Sequence, residues 1–433
     1  MKKDMAAYFV FSVVALLASG GLAGTDEKAK VESAANQIAA ASAGNGLELV
    51  QYIKEEKDKD PHILSRKGGF FHVFPITWRG DYVYAATHYE GLINIFRRDP
   101  TGGLAYVDHL AFDDPKPLAQ MSISDFVWAN GRLYFFGGAG HCTGDGDSRG
   151  LHWLEANTTT GMLTPKGHLD IPLGGGLVTD ASQKNLYLLL GYKKMIVHYR
   201  LAVDGTPEKA DESVLKDAPA GRLYGLVMTG DGKALYTYCP ADAPMPGKPA
   251  PASIMEYAEI KADGSVGNSG ACALKEVTDG LTWEKDGKPR GWGWCINQDW
   301  SFSPDGRFCY VPWTSDPKDK AYHRLALYAR TPPSNELKFV EMLDVAGADK
   351  IASDRLLPTA FEPDGVTCYA KGGVWLTRDP KTGRLAFGGQ LKDAGETSPL
   401  YLDAASGYLY GGCWAKQGLT VMWTGKKTPA GGK

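Results

Sequence analysis

The sequence predicts an all-β fold, a seven-bladed β-propeller of four-stranded antiparallel blades. The main observation is a sequence pattern that occurs seven times in the 433 residues. It consists of a polar turn, an apolar–tyrosine pair, a short apolar run and a second strand-like run. The first copy begins with Asp81–Tyr84, and the later copies are marked by Tyr134, Tyr187, Tyr236, Tyr310, Tyr369 and Tyr410. Strand-like repeats spaced roughly 40 to 75 residues apart are typical of propellers, in which each repeat forms one blade.

The repeats divide the chain into blades at about 72–112, 122–171, 174–215, 222–277, 293–345, 356–391 and 398–424. Hairpin turns are explicit at Ser303–Gly306 and Glu362–Gly365, where Pro is followed by Asp-Gly, as suits a tight turn between antiparallel strands. The last blade has sequence for only three strands. The segment Leu47–Ile53 alternates like a strand but belongs to no local hairpin, so we predict that it completes the last blade and closes the ring.

The N-terminus has the pattern of a secretory signal. Lys2 and Lys3 precede an apolar stretch from Met5 to Ala18, and Gly21–Ala23 offers a small-residue cleavage site. We therefore predict a signal peptide over 1–23, an Ala-rich linker over 24–46, the propeller over 47–425 and a flexible tail over 426–433. The expected location is periplasmic or secreted, without membrane contact after cleavage. An uncleaved N-terminal anchor is the alternative, and it also leaves the propeller outside the cytoplasm.

Composition narrows the choice of partners and cofactors. The formal net charge is -3 and no basic run is long enough to track a phosphate backbone, so nucleic acid is not an expected partner. The seven cysteines form no metal or haem motif. Cys309 and Cys368 precede the tyrosine in consecutive repeats, which indicates small core residues, whereas Cys142 lies in a polar loop and is either a free thiol or the partner of another loop cysteine.

Two stretches resemble a known family. Ser303–Val311 and Asp379–Leu385 are similar to the repeats of lactonase-type seven-bladed propellers, the group related to 6-phosphogluconolactonase and to the Tyr-Val-Thr-Asn repeat proteins. The resemblance covers about residues 70–425. It implies the same fold and an activity on cyclic esters.

One face of the predicted propeller carries the longer loops, namely those that enter each innermost strand and those that join the second and third strands. Lactone hydrolysis needs a base that activates water and a group that holds the oxyanion. The candidate bases on this face are His88, Glu90 and His141, and Arg222 and Arg355 are candidates for binding an anionic substrate. A structural histidine and an ion pair between blades are the respective alternatives.

Further candidates on these loops would bind a small-molecule or carbohydrate ligand: His72, Asp125, Arg149, Asp299, Trp300 and His323. Trp300 belongs to a tryptophan cluster that suits either sugar binding or blade packing. Asp145 and Asp147 alternate as in the start of a calcium loop. We expect no other cofactor, and a divalent cation such as calcium is the one that the sequence leaves open.

Two main functions remain open. The first is an extracytoplasmic hydrolase of a sugar lactone or similar cyclic ester. The second is a non-catalytic propeller that binds a protein or glycan on its loop-rich face, and a third, minor alternative is the propeller subunit of a periplasmic dehydrogenase. A His or carboxylate close to an Arg inside the channel would favour the hydrolase.

Overall fold

The strands form seven four-stranded blades in the computed structural model. It describes residues 47–54, 73–87, 91–112, 121–139, 150–171, 176–215, 223–239, 253–274, 284–285, 288–289, 300–313, 324–345, 356–391, 394, 397–413 and 418–425. Blade one consists of β2 (Val73–Arg79), β3 (Tyr82–Thr87), β4 (Leu92–Arg98) and β5 (Leu104–Ala111). Blade two consists of β6 (Met121–Ala129), β7 (Arg132–Ala139), β8 (Gly150–Ala156) and β9 (Leu163–Asp170). Blade three consists of β10 (Gly176–Thr179), β11 (Asn185–Leu190), β12 (Met195–Leu201) and β13 (Pro207–Val214).

The remaining blades repeat the same antiparallel order. Blade four consists of β14 (Tyr224–Met228), β15 (Ala234–Cys239), β16 (Ser253–Ile260) and β17 (Val266–Leu274). A two-stranded ribbon follows, made of β18 (Glu284–Lys285) and β19 (Lys288–Pro289). Blade five consists of β20 (Ser301–Phe302), β21 (Phe308–Trp313), β22 (Arg324–Thr331) and β23 (Glu336–Asp344). Blade six consists of β24 (Pro358–Phe361), β25 (Thr367–Ala370), β26 (Val374–Arg378) and β27 (Leu385–Gln390).

Blade seven confirms the predicted closure of the ring. It contains β28 (Thr397–Asp403), β29 (Tyr408–Cys413), β30 (Gly418–Trp423) and, as its outermost strand, β1 (Glu48–Lys54) from the N-terminal side. β1 pairs antiparallel with β30, from Glu48 opposite Trp423 to Lys54 opposite Gly418. The first and last parts of the propeller are therefore joined by backbone hydrogen bonds.

The core is distributed around the ring. Seven clusters of buried apolar residues each lie between one blade and the next, including one between blades seven and one that contains Val73, Ile76, Tyr410, Leu419 and Val421. Each blade thus buries both faces of its sheet against its two neighbours, which is the arrangement that makes a closed ring stable.

The repeated tyrosine joins neighbouring blades. It lies on the second strand with its ring fully buried. Its hydroxyl donates to a backbone carbonyl in the outer turn of the next blade, which is the turn between the third and fourth strands. The bonds are Tyr134 to Gly205 (2.5 Å), Tyr187 to Gly264 (2.8 Å), Tyr236 to Asn335 (2.5 Å) and Tyr310 to Gly383 (2.8 Å). The other blades depart from this pattern. In blade one Tyr82, two residues before the expected Tyr84, makes the bond to Thr159. In blade six Tyr369 bonds Glu362 of its own blade, and in blade seven Tyr410 accepts a bond from Arg98.

Three blade boundaries carry a second cross-link, an arginine that is buried in two of them and largely buried in the third. The arginine lies near the end of the third strand, and its backbone N–H donates to the carbonyl of the residue just before the second strand. We call the residue that makes this backbone hydrogen bond the latch position. Arg98, Arg330 and Arg378 occupy it in blades one, five and six. Their guanidinium groups reach the preceding blade, where they meet Asp403 (2.6 Å), Asp231 (2.9 Å) and Asp305 (2.8 Å) respectively.

Several smaller predictions can be compared with the strands. Cys309 and Cys368 are fully buried free thiols, which confirms their assignment to the core, and Cys142 lies outside the described residues. The β18–β19 ribbon was not anticipated from the repeat. Among the described residues there is no helix with the length and hydropathy needed to cross a membrane.

Candidate functional site

Most of the predicted site residues lie in the loops that enter the innermost strands or join the second and third strands, outside the described residues. They are His72, His88, Glu90, His141, Asp145, Asp147, Arg149, Arg222, Asp299, His323 and Arg355. Their roles therefore stay predictions. The described residues contain no group of three or more His, Cys, Asp or Glu side chains arranged to hold a metal ion.

Trp300 is one of two predicted ligand-binding residues that the structure describes. It is 6% exposed and belongs to the apolar cluster between blades four and five, where its ring meets Phe302 edge to face with centroids 6.0 Å apart. This environment agrees with blade packing, the alternative role for the tryptophan cluster.

Asp125, the other described candidate, lies on the innermost strand of blade two at an irregular point of the sheet. The pairing of β6 with β7 shifts register between Ser124 and Phe126, so Asp125 is the extra residue of a β-bulge. Its φ is +25°, a conformation that side chains other than glycine rarely adopt. In blade four the residue at the corresponding place in the bulge is Gly225, with φ +61°. A carboxylate thus occupies a backbone site that suits glycine, which is a pattern found at functional sites.

The Asp125 carboxylate spans the gap between two blades. Its Oδ2 accepts a hydrogen bond from the backbone N–H of Leu177, on the innermost strand of blade three, at 3.2 Å. Gly176 keeps these strands close to blade four as well, since a Cβ there would lie 2.6 Å from the backbone nitrogen of Leu226. Because innermost strands line the central channel of a propeller, Asp125 lies at the channel wall.

Burial changes the acidity of Asp125. Loss of solvent raises its pKa to about 6, against the opposing effect of the backbone N–H groups of Leu177 and of Asp125 itself. Among the residues that the structure describes, two backbone donors compensate the charge, so the ionised form is poorly stabilised compared with a carboxylate in water. A carboxylate with a pKa near the working pH can accept a proton from water and release it again, which is the property required of a general base.

Replacement of Asp125 by Asn is expected to stabilise the protein at neutral pH. The folded-state pKa is raised above the unfolded value, so the protein loses stability as pH rises from about 4 through about 6, and the loss is complete above pH 6. A pKa about two higher in the folded than in the unfolded state corresponds to a loss of about 3 kcal/mol at most. Because the Asp125 side chain is only partly buried, we expect Asp125→Asn to gain about 1–2 kcal/mol of stability at neutral pH. Asn keeps an acceptor for Leu177 and tolerates positive φ.

Urea unfolding of both proteins at several pH values measures this difference. The stability advantage of Asp125→Asn should be present at pH 8 and vanish below pH 4. A variant that is less stable than the parent at pH 8 would contradict the raised pKa. Asp108→Asn, at an exposed carboxylate on the outer strand of blade one, is the control and should show no such advantage.

Comparison with known proteins shows the fold alone. No family model matches the chain, and no curated protein matches it in sequence. Among solved structures, hydrazine synthase from Kuenenia stuttgartiensis is similar over 86% of this chain and 99% of the matched chain, with 12% identity and a TM-score of 0.54. A Bacteroides uniformis protein, provisionally assigned as a 6-phosphogluconolactonase, is similar over 71% and 81%, with 14% identity and a TM-score of 0.50. The β-propeller domain of Swd1 from Myceliophteria thermophila is similar over 87% and 99%, with 11% identity and a TM-score of 0.50.

These three neighbours have unrelated names, and propellers in general support many functions. The chain is thus a propeller of the architecture that lactonase-type proteins share. Its function has to be argued from its own residues.

Proposed function

We propose that this protein is an extracytoplasmic hydrolase that opens a sugar lactone or a similar cyclic ester, with Asp125 as its general base. The observation that carries the proposal is the Asp125 carboxylate, held at a bulge of the channel wall with a pKa raised to about 6. The resemblance of residues 303–311 and 379–385 to lactonase-type repeats supports the choice of substrate. So does the fold shared with the Bacteroides uniformis protein, which carries a provisional lactonase assignment.

In the proposed reaction, ionised Asp125 removes a proton from a water molecule as the water oxygen attacks the lactone carbonyl carbon. The tetrahedral oxyanion then collapses, and the ring C–O bond breaks. The alkoxide then takes from Asp125 the proton that Asp125 had removed from water, so lactone and water give one hydroxy acid and Asp125 is ionised again. A group that accepts and returns a proton in this way works best when its pKa lies near the operating pH.

Other residues complete the proposal. Arg222 and Arg355 directly precede Leu223 and Leu356, the buried residues at the start of the innermost segments of blades four and six. Both arginines would bind the anionic part of the substrate and the oxyanion. His88, Glu90 and His141, the bases that the sequence predicts, remain alternative candidates for the role of general base. The signal-like residues 1–23 are the basis for placing the reaction in the periplasm or outside the cell.

Hydrolysis of a panel of aldonolactones, followed in a pH-stat with and without chelator, tests the function. We expect turnover above the spontaneous rate, and we expect Asp125→Asn to lower it about 100-fold or more because the base is lost. Activity should rise with pH through about 6, as Asp125 ionises.

The predicted gain in stability of Asp125→Asn separates a catalytic effect from unfolding. A variant that is more stable but inactive supports the assignment, and Asp108→Asn should keep full activity. Parent-level activity in Asp125→Asn would remove Asp125 from the mechanism. An inactive parent across the panel would overturn the lactonase and favour the ligand-binding propeller.

A further inference from the structure

A cavity of about 580 Å³ opens on the face opposite the loop-rich one, the face formed by the hairpin turns. In each blade we call the turn between the first and second strands the inner turn, and the turn between the third and fourth strands the outer turn. The walls of the cavity come from the inner turn of blade three, the inner and outer turns of blade four and the outer turn of blade five. We propose that this cavity is a binding site for a small polyhydroxylated anion, separate from the channel site.

The cavity lies where a cross-blade arginine is missing. In blade four the latch position is Ile260, since its N–H donates to the carbonyl of Lys233 just before the second strand. Ile260 lines the cavity, as does Asp180 in the preceding blade. An arginine at 260 would extend towards Asp180, as Arg330 extends towards Asp231 at the next boundary. Ile260 thus leaves this space open between blades three and four, whereas Arg330 fills the corresponding space between blades four and five.

One wall of the cavity supplies positive charge. The Arg330 side chain is only 2% exposed; its Nε donates to Asn335 (2.9 Å) and its Nη1 to Asp231 (2.9 Å). Its Nη2 has no hydrogen-bond partner among the described residues, although Arg330 lines the cavity. Lys233 and Lys261 line the same space from blade four. A buried guanidinium with an unused N–H pair is a strong donor for a carboxylate or phosphate.

The opposite wall is a fixed polar turn, in which the Asp180 carboxylate accepts hydrogen bonds from Ser182, Lys184 and Asn185. Asn185 Nδ2 donates to Asp180 Oδ2 at 2.8 Å, and Asn185 Oδ1 lies 2.8 Å from Nε2 of the fully buried His198. Nδ1 of His198 in turn meets Asp211 at 2.8 Å, so Asp180 and Asn185 are held in one orientation by a chain of hydrogen bonds. A wall that is already ordered in this way adds no further ordering cost when a ligand binds beside it.

The charges of the walls decide the ligand class. Glu259 and Asp263 also line the cavity, so the carboxylates there balance the three cations. A bare anion would meet repulsion from the acidic side. A molecule with an anionic end for Arg330 and hydroxyl groups that donate to Glu259 and Asp263 satisfies both kinds of lining charge, as an open-chain sugar acid would.

Calorimetric titration with D-gluconate tests the proposal, with glucose and acetate as probes of hydroxyl groups alone and charge alone. Ala262→Trp places a bulky side chain on the exposed outer turn that lines the cavity. Val203→Trp is the matched control, because Val203 holds the same position in the outer turn of blade three and is fully exposed. Ile260→Arg is a second variant that would occupy the cavity from the latch position.

We expect gluconate to bind the parent more tightly than glucose or acetate. One binding equivalent should weaken at least about tenfold in Ala262→Trp and Ile260→Arg and stay unchanged in Val203→Trp. Unchanged binding in both cavity variants, or no gluconate binding by the parent, would overturn the site. Since gluconate has no ring to open, these outcomes are independent of lactone turnover.

Discussion

Removal of the N-terminal strand β1 is expected to abolish stable folding. The deletion of residues 47–54 leaves β30 as an unpaired edge and uncovers Leu419, Val421 and Met422, which are fully buried in the intact ring. Apolar side chains on β1 and beside it, such as Leu47 and Ile53, lose their contacts at the same time. At about 1.5–3 kcal/mol for each fully buried side chain, the loss approaches the 5–15 kcal/mol that separates most folded domains from the unfolded state.

Circular dichroism and size-exclusion chromatography of a truncated protein that begins at residue 55 measure this effect. A chain that begins at residue 47 is the matched control, and it should fold because β1 is intact. Addition of a peptide of residues 47–54 should partly restore the fold, since an exposed edge strand accepts a further strand. Cooperative unfolding of the truncated protein at the parent midpoint would show that the ring does not depend on β1.

Replacement of Arg378 by Met is expected to destabilise the protein by about 3 kcal/mol or more. The Arg378 side chain is 1% exposed, and its nitrogens donate to Gly365 in its own blade and to Tyr310 and Asp305 across the boundary in blade five. Methionine fills the space but leaves these acceptors without their donor. The loss of one partner from a buried charge pair costs about 3–5 kcal/mol, and partial exposure of Asp305 places the expected value at the lower end.

Arg307→Met is a close control for this variant. Arg307 contacts the same Oδ2 of Asp305, at 3.1 Å, but its side chain is 52% exposed. An exposed pair contributes about 1 kcal/mol or less, so urea unfolding should separate the two variants clearly. Equal effects of the two substitutions would contradict the importance of burial at the latch position.

The effect of Arg378→Met should also depend on pH. Burial alone would raise the pKa of Asp305, but hydrogen bonds from Ser303 and Arg378 outweigh it and lower that pKa to about 2. Because the folded-state pKa is below the unfolded value, the stabilisation is present above about pH 4 and is lost as pH falls towards 2. The difference between the parent and Arg378→Met should therefore shrink in acid.

The fold could be predicted from the sequence because its information is local and repeated. Each tyrosine marks one second strand, and each Asp-Gly turn marks a hairpin, so seven blades and their boundaries follow from spacing. The strand at Leu47–Ile53 was assigned correctly because it lacked a local partner in a ring that needed one. The role of the tyrosine hydroxyl in joining blades was not visible, since its acceptors, such as Gly205 and Asn335, lie 71 and 99 residues further along the chain.

The candidate sites were less predictable, because they too depend on contacts between residues that are far apart in the chain. Asp125 was selected for its position at an innermost strand, but its positive φ depends on a bulge that no local motif announces. Comparison of blade two with blade four offers a weak signal, because Asp125 stands where Gly225 stands. The cavity beside Ile260 gave no signal at all, since its walls converge from turns of three blades.

The direction of β1 and β30 also determines how the molecule can be tethered. Because Glu48 lies opposite Trp423, at the end of the sheet where the hairpin turns gather, the chain enters and leaves the propeller on one side. A surface, label or fusion partner joined directly next to residue 47 or 425 would lie on the side of the turn face. The loop-rich face would then point outward, where solutes can reach it.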